Sequence, residues 1–109
     1  ICNNGTEFRD ITFQDIRVGP SGQLITVIFT EEIFGIPGSQ DWPGRMSGLL
    51  FKDIFTWGAG SKDIRIEGWN RENSVDGITL ENITIRGEKL KSASPFLKVN
   101  EHVRDLIIK

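Results

Sequence analysis

One short template recurs along the chain and limits how the chain can fold. It reads apolar, any residue, Phe or Leu, any residue, Asp or Asn, Ile, and it starts at Ile11, Leu49 and Ile78. A further start lies at Leu106, so that successive starts are about 28 to 38 residues apart. A repeat of this length predicts stacked units, each of which buries its apolar face against its neighbours.

The residues inside each unit alternate as they do in β-strands. Ile11 and Phe13 fall on one side of the first unit, while Thr12 and Gln14 fall on the other. Glycine- and proline-containing turns such as 19–22 separate the strands. No part of the chain has a convincing helical period, so the sequence predicts short strands joined by turns.

These strands predict an all-β, right-handed parallel β-helix, a solenoid of about three coils plus the start of a fourth. Residues 1–109 would form a single β-helix domain or the C-terminal fragment of a longer one. A β-sandwich is the alternative, but sandwiches do not show a recurring residue template. The repeat predicts two inward ladders, Ile11/Leu49/Ile78/Leu106 and Phe13/Phe51/Leu80/Ile108. It also predicts a third ladder, Asp15/Asp53/Asn82, at the strand bends, where the side chains would cap backbone N–H groups.

Composition excludes several classes of function. The net charge of −2 and the absence of a Lys/Arg cluster disfavour a nucleic-acid partner. No run approaches the roughly 20 apolar residues of a membrane span. Cys2 and His102 are each the only residue of their type, so the chain can build neither an internal disulfide nor a histidine metal site or Ser-His-Asp arrangement. We therefore predict no metal and no cofactor, and we interpret His102 as a solvated turn residue.

A long connection interrupts the repeat between its first and second units. The segment Thr30–Arg45 contains two prolines, three glycines and a polar cluster, which indicate a loop. Two interpretations are open: a lengthened connection that folds back on the strands, or a ligand-facing role for Trp42, Glu31 or Asp41.

The strand that starts at Asp63 carries two further candidates. Arg65 and Glu67 alternate with Ile64 and Ile66, so they share the outward face, either facing a substrate or solvated.

Other residues admit both a structural and a functional interpretation. Trp57 and Trp69 could stack on sugars, but they close equivalent strands, which favours packing under turns. Asp15 and Asp53 would stack at the spacing of neighbouring strands, yet their place in the template favours a structural role over glycosidase chemistry. We therefore predict no catalytic residue within the chain.

The phrases DITFQDIRV, GLLFKDIFTW and DGITLENITIRG resemble coils of the polygalacturonase-like, pectin-lyase-like β-helix glycoside hydrolases. In that family a strand reading Gly-Ile-Arg-Ile-Lys-Thr-Trp holds an acidic sugar through its Arg and Lys. Arg65 falls on the Arg, whereas Glu67 falls on the Lys and reverses its charge. The family's Gly-His-Gly motif reads Gly22-Gln23-Leu24 here, without histidine.

The resemblance implies part of a carbohydrate-active protein, with the catalytic carboxylates outside this chain and a secreted or periplasmic location. The chain alone would then be inactive, and Arg65, Glu67 and Trp42 would contact a polysaccharide or oligosaccharide. The alternative is a non-catalytic glycan-binding, structural or assembly module. Open strand edges predict end-to-end self-association or contact with upstream β-helix coils. Because the sequence starts at Ile1 without Met, an upstream start and an export signal are left open.

Overall fold

The computed structural model describes residues 1–3, 6–29 and 44–109. In this part of the chain all regular structure is β-strand. The strands are β1 (Cys2–Asn3), β2 (Phe8–Arg9), β3 (Thr12–Val18), β4 (Gln23–Phe29), β5 (Met46–Thr56), β6 (Asp63–Ile66), β7 (Val75–Ile85), β8 (Glu88–Lys89), β9 (Leu97–Val99) and β10 (Val103–Ile108).

These strands form two sheets. The smaller sheet has four strands in the order β1, β4, β6, β9. The larger sheet runs from β10 through β7 to β5, and both β2 and β3 pair with the far side of β5. Every pairing is parallel except that of β7 with the short strand β8. The core lies between the inward faces of the two sheets.

The register of the larger sheet confirms the two inward ladders. Phe13 pairs with Phe51, Phe51 with Leu80, and Leu80 with Ile108. The rings of Phe13 and Phe51 stack with centroids 4.9 Å apart. The middle members of each ladder are buried, while the members on the outer strands are partly buried against the same core. The template therefore specifies which strand lies beside which, and in what register.

The predicted right-handed β-helix solenoid is wrong. The strands collect into two sheets with an antiparallel β7–β8 pair, in a compact body of 41 × 26 × 23 Å. The Cα radius of gyration of 14.0 Å is close to the roughly 13 Å of a compact domain of this length. The physical reason is that a repeated template fixes the lateral register of neighbouring strands, which is the same in any parallel sheet. It does not fix how the connections close around the core.

The third predicted ladder lies where the strands bend, as expected. Asp15, Asp53 and Asn82 have φ angles of 59°, 55° and 52°, in the left-handed region that Asp and Asn tolerate better than most residues. One such residue interrupts the two-residue alternation of the strand, so both Phe51 and Ile54 point inward although they are three positions apart. The hydrogen bond that the structure shows here joins two side chains: Asn82 Nδ2 donates to Asp53 Oδ1 at 2.8 Å.

A second column of left-handed residues crosses the larger sheet and was not predicted. Asp10, Gly48, Gly77 and Asp105 have φ angles of 55°, 62°, 84° and 53°. They occupy the position before the first apolar residue of each template, so the first three units bend twice at matching places and β10 bends once, at Asp105. Since all the paired strands bend together, the ladders survive both interruptions.

Lys62 is a fully buried cation in the turn between β5 and β6. Its ammonium group donates hydrogen bonds to two backbone carbonyl oxygens, Gly19 O at 2.6 Å and Trp57 O at 2.9 Å. Burial lowers the pKa of Lys62, and the nearby charge of Arg86 lowers it further. The lysine thus joins two stacked turns at a cost in desolvation of its charge.

This lowered pKa predicts a specific pH dependence of stability. The folded protein releases the Lys62 proton at a lower pH than the unfolded chain, whose lysine titrates near 10.5. Between the two values the unfolded state binds more protons, so this group's contribution to stability rises as pH increases toward 10.5. Urea unfolding of wild type and of Lys62→Met, at a series of pH values from about pH 7 upward, measures the contribution of Lys62 to stability. The free energy of unfolding of wild type minus that of the variant should increase with pH. A flat or falling difference would contradict the assignment.

Candidate functional site

The predicted site residues Arg65 and Glu67 lie on the smaller sheet, on β6 and just after its end. Ile64 and Ile66 point into the core and are fully buried, so Arg65 and Glu67 share the outward face as predicted. Trp42 lies outside the described residues, as do Glu31 and Asp41. The structure therefore brings together two of the three predicted residues.

Arg65 and Glu67 form a two-pronged ion pair. Arg65 Nε donates to Glu67 Oε1 at 2.8 Å, and a second guanidinium nitrogen donates to Oε2 at 2.9 Å. The hydrogen bonding to Glu67, together with its negative charge, raises the pKa of Arg65. Because two parallel hydrogen bonds join the guanidinium to the carboxylate, both side chains are held in one orientation, although the pair is exposed. The sequence alone showed a shared face but not this pairing.

The strands beside β6 add polar groups on the same face. Thr26 on β4 and Lys98 on β9 are the register neighbours of Arg65. Lys98 Nζ lies 2.9 Å from Asp63 Oδ2, one strand away. Among the described residues, Arg65 and Lys98 are thus each paired with a carboxylate, so these two ion pairs together carry no net charge.

Trp69 follows Glu67 by two residues, just beyond the end of β6. The buried Gly68 separates them, and the Trp69 residue is 49% exposed. The expected burial under a turn is therefore wrong for Trp69. Trp57 is 52% exposed at the end of β5, but its indole ring lies beside Gly19 of the 19–22 turn, so it does pack against a turn. We define the Arg65 face as Arg65, Glu67 and Trp69, with Thr26 and Lys98 beside Arg65.

The backbone that carries Trp69 is held on both sides. Asn100 Oδ1 accepts a hydrogen bond from Gly68 N at 3.0 Å, and Asn100 Nδ2 donates to Gly68 O at 2.8 Å. On the other side, Trp69 N donates to Asn73 O at 2.7 Å, in a turn where Asn70 Oδ1 accepts from Asn73 N. Asn100 is a positioning residue that sequence reasoning missed, because it is 32 positions from Gly68.

His102 explains why position 68 is glycine. A Cβ at Gly68 would lie 2.6 Å from both the Cβ and the carbonyl oxygen of His102. His102 lies in the turn before β10, as expected, but its side chain is only 30% exposed, with Nε2 3.3 Å from Glu101 Oε1, so it is partly buried rather than fully solvated. Its role next to the Arg65 face is to pack against the Gly68 backbone.

A cavity among the described residues lies elsewhere. It has a volume of about 770 Å³ and is lined by the connection from β7 to β9, including Ile85, Leu90 and Phe96. The Arg86 guanidinium lies 5.5 Å from the centre of the Phe96 ring. None of the residues that line this cavity belongs to the Arg65 face.

Among the described residues, no group of three or more His, Cys, Asp or Glu side chains is placed to hold a metal ion. The same part of the chain contains no helix of the length and apolarity needed to cross a membrane.

Comparisons with protein-family models, curated proteins and solved structures find no match to the chain. The structure and these comparisons give no support to the expected glycoside hydrolase or to secretion.

Proposed function

We propose that the chain is a non-catalytic glycan-binding module and that the Arg65 face is its binding surface. The observation that carries the proposal is the oriented Arg65–Glu67 pair in line with a half-exposed tryptophan. Sugars present hydroxyl groups that both donate and accept hydrogen bonds, together with flat apolar patches. A carbohydrate site therefore needs fixed polar groups beside an exposed aromatic ring.

The spacing on the strand fits this pairing of polar and aromatic contacts. Residues two apart along a strand are separated by roughly 6.7 Å. Arg65 and Glu67 are joined by their ion pair, and Trp69 follows two residues after Glu67, beyond the end of β6. Glu67 would accept hydrogen bonds from sugar hydroxyls, Arg65 would donate to hydroxyl or ring oxygens, and Trp69 would stack on an apolar sugar face. Asn100 keeps the intervening Gly68 backbone in place.

The charges of the described residues on this face favour a neutral glycan. Glu67 neutralises Arg65 and Asp63 neutralises Lys98. An acidic sugar would have to displace one of these carboxylates or lie beside it, which Coulomb repulsion opposes.

The same pairing argues for binding rather than hydrolysis by these residues. A glycosidase needs one carboxyl group that holds a proton near neutral pH and a second carboxylate opposite it. On this face Glu67 and Asp63 are each held in an ion pair, with Arg65 and Lys98 respectively.

Trp69→Ala tests the proposal, with Trp57→Ala as a control of nearly equal exposure on a different part of the surface. A panel of neutral and uronic-acid oligosaccharides, screened on an array and followed by titration calorimetry, identifies the ligand. We expect a neutral glycan to bind wild type. Trp69→Ala should weaken that binding about tenfold or more, because truncating an aromatic anchor commonly removes 2 kcal/mol or so.

Trp57→Ala should leave the affinity unchanged. Binding of uronic-acid oligomers alone, or equal losses in both tryptophan variants, would contradict the proposed face.

A further inference from the structure

Both sheets end at the same two ends of the molecule. The edge strands are β1, β2 and β3 at one end and β9 and β10 at the other. In the described part of the chain, β9 pairs only with β6, and β10 only with β7. As far as the described residues show, the outer sides of β2 and β3 at one end and of β10 at the other are strand edges whose backbone groups can pair with another chain.

The two ends carry equivalent residues. The register aligns Phe8 with Met46, Met46 with Val75, and Val75 with Val103. By the same registers, the left-handed Asp10 at one end corresponds to the left-handed Asp105 at the other. An edge that bends at Asp105 thus matches the bend of the edge at Asp10.

Partly exposed apolar side chains are found on these outer strands. Phe13 and Ile108 are partly buried against the core, whereas their ladder neighbours Phe51 and Leu80 are buried between two strands. Ile11 and Leu106 behave in the same way. Adding one more strand in register at either end would bury the outer residues as the inner ones are buried.

Strand direction selects the kind of contact. The pairings across both sheets are parallel apart from the short β8, so the edges at the two ends run in the same direction. Parallel pairing then joins one end of a molecule to the opposite end of the next. A two-fold contact between like ends would instead pair the strands antiparallel, which the repeated parallel register does not match.

We propose that a second copy of this chain docks head to tail, so that β10 of one molecule lies parallel to β2 and β3 of the next. Such a contact is heterologous and leaves a free edge at each end of every assembly, so it produces a ladder of oligomers rather than one closed species. The register places three pairs opposite each other across the contact: Val103 and Phe8, Leu106 and Ile11, and Ile108 and Phe13.

The same register places Arg104 opposite Arg9, which gives a specific test. Their side chains are 49% and 68% exposed, and each forms an exposed ion pair within its own molecule, Arg104 with Asp76 at 3.7 Å and Arg9 with Glu7 at 3.2 Å. Exposed pairs contribute at most about 1 kcal/mol, so either replacement should leave the protein folded. Arg9→Glu, Arg104→Glu and the double variant form a double-mutant cycle. Sedimentation velocity over a concentration series measures the association constant of each variant.

We expect wild type to form concentration-dependent oligomers. Each single reversal creates an opposite-charge pair and should tighten association, whereas the double variant restores a like-charge pair and should lose that gain. Cross-strand charge pairs are worth up to about 1 kcal/mol, or about fivefold in the association constant. A wild type that stays monomeric at all concentrations, or a cycle without coupling between the two positions, would overturn the proposal.

End-blocked variants test the direction of docking. Phe13→Asp blocks one end and Ile108→Asp the other, and circular dichroism checks that each remains folded. Each variant alone should be monomeric, and the equimolar mixture should form one-to-one dimers. Dimers of either variant alone would indicate contact between like ends and would contradict head-to-tail docking. If either variant fails to fold, the arginine cycle still decides the register.

Discussion

Leu80→Ala is expected to lower the free energy of unfolding by about 3 to 5 kcal/mol. Leu80 is completely buried and lies between Phe51 and Ile108 in the central ladder of the larger sheet. Removing its three terminal carbons leaves a cavity bounded by strands that are hydrogen-bonded in register, so the surroundings can relax only partly. The change is large compared with the roughly 5 to 15 kcal/mol that stabilise an average domain.

Ile107→Ala is the matched control for this prediction. Ile107 lies on the adjacent strand, between Leu106 and Ile108, but faces outward and is 48% exposed. Its truncation should cost less than about 1 kcal/mol. Urea unfolding monitored by tryptophan fluorescence compares the two variants with wild type. Equal losses at the two positions would show that the ladder is not the core of the protein.

Gly60→Ala is expected to destabilise the protein by at least about 3 kcal/mol. Gly60 has a φ angle of 115°, which side-chain-bearing residues rarely adopt. An added Cβ would also overlap the carbonyl group of Ser21 in the neighbouring turn. Because Ser21 meets it with backbone atoms, no rotamer change can relieve the overlap. The shift would also disturb Arg86, whose guanidinium donates to Gly60 O at 2.9 Å.

A second glycine separates backbone strain from overlap. Gly87 has a φ angle of 83°, but a Cβ there would have no neighbour within 4 Å. Gly87→Ala should therefore cost only the conformational term, about 1 to 2 kcal/mol. The difference in melting temperature and unfolding free energy between the two variants measures the overlap at Ser21. A Gly60→Ala variant as stable as Gly87→Ala would mean that the two turns do not stack as closely as the structure shows.

The sequence predicted the pairing of strands better than the shape that they enclose. The recurrence of Ile11-x-Phe13 and its counterparts specifies the ladders, because like residues must meet when neighbouring strands share one core. Closure depends on the connections, and those vary from one repeat to the next in length and residues. One example is the connection after β7, where the chain turns back and forms the antiparallel pair of β7 with β8. The repeated template contains no residue pattern that predicts this pair.

The candidate site was predictable only where it depends on local alternation. Two-residue spacing on β6 was sufficient to place Arg65 and Glu67 on one face. The exposure of Trp69 was not predictable in this way, because it depends on a turn held by Asn70 and on the contact of Asn100 with Gly68. These are contacts between separate parts of the chain or between a side chain and a turn, and residue spacing carries no information about them.

Tryptophan indole resonances test the central claim most directly. With the neutral oligosaccharide that binds most tightly, a two-dimensional NMR titration follows the indole N–H signal of each tryptophan, assigned by single substitution. We predict that the Trp69 signal shifts in a saturable way and that the Trp57 signal stays in place, since of these two described tryptophans Trp69 is the one on the Arg65 face. A saturable shift of Trp57 with Trp69 unchanged, or no shift of either with any neutral glycan, would contradict the account.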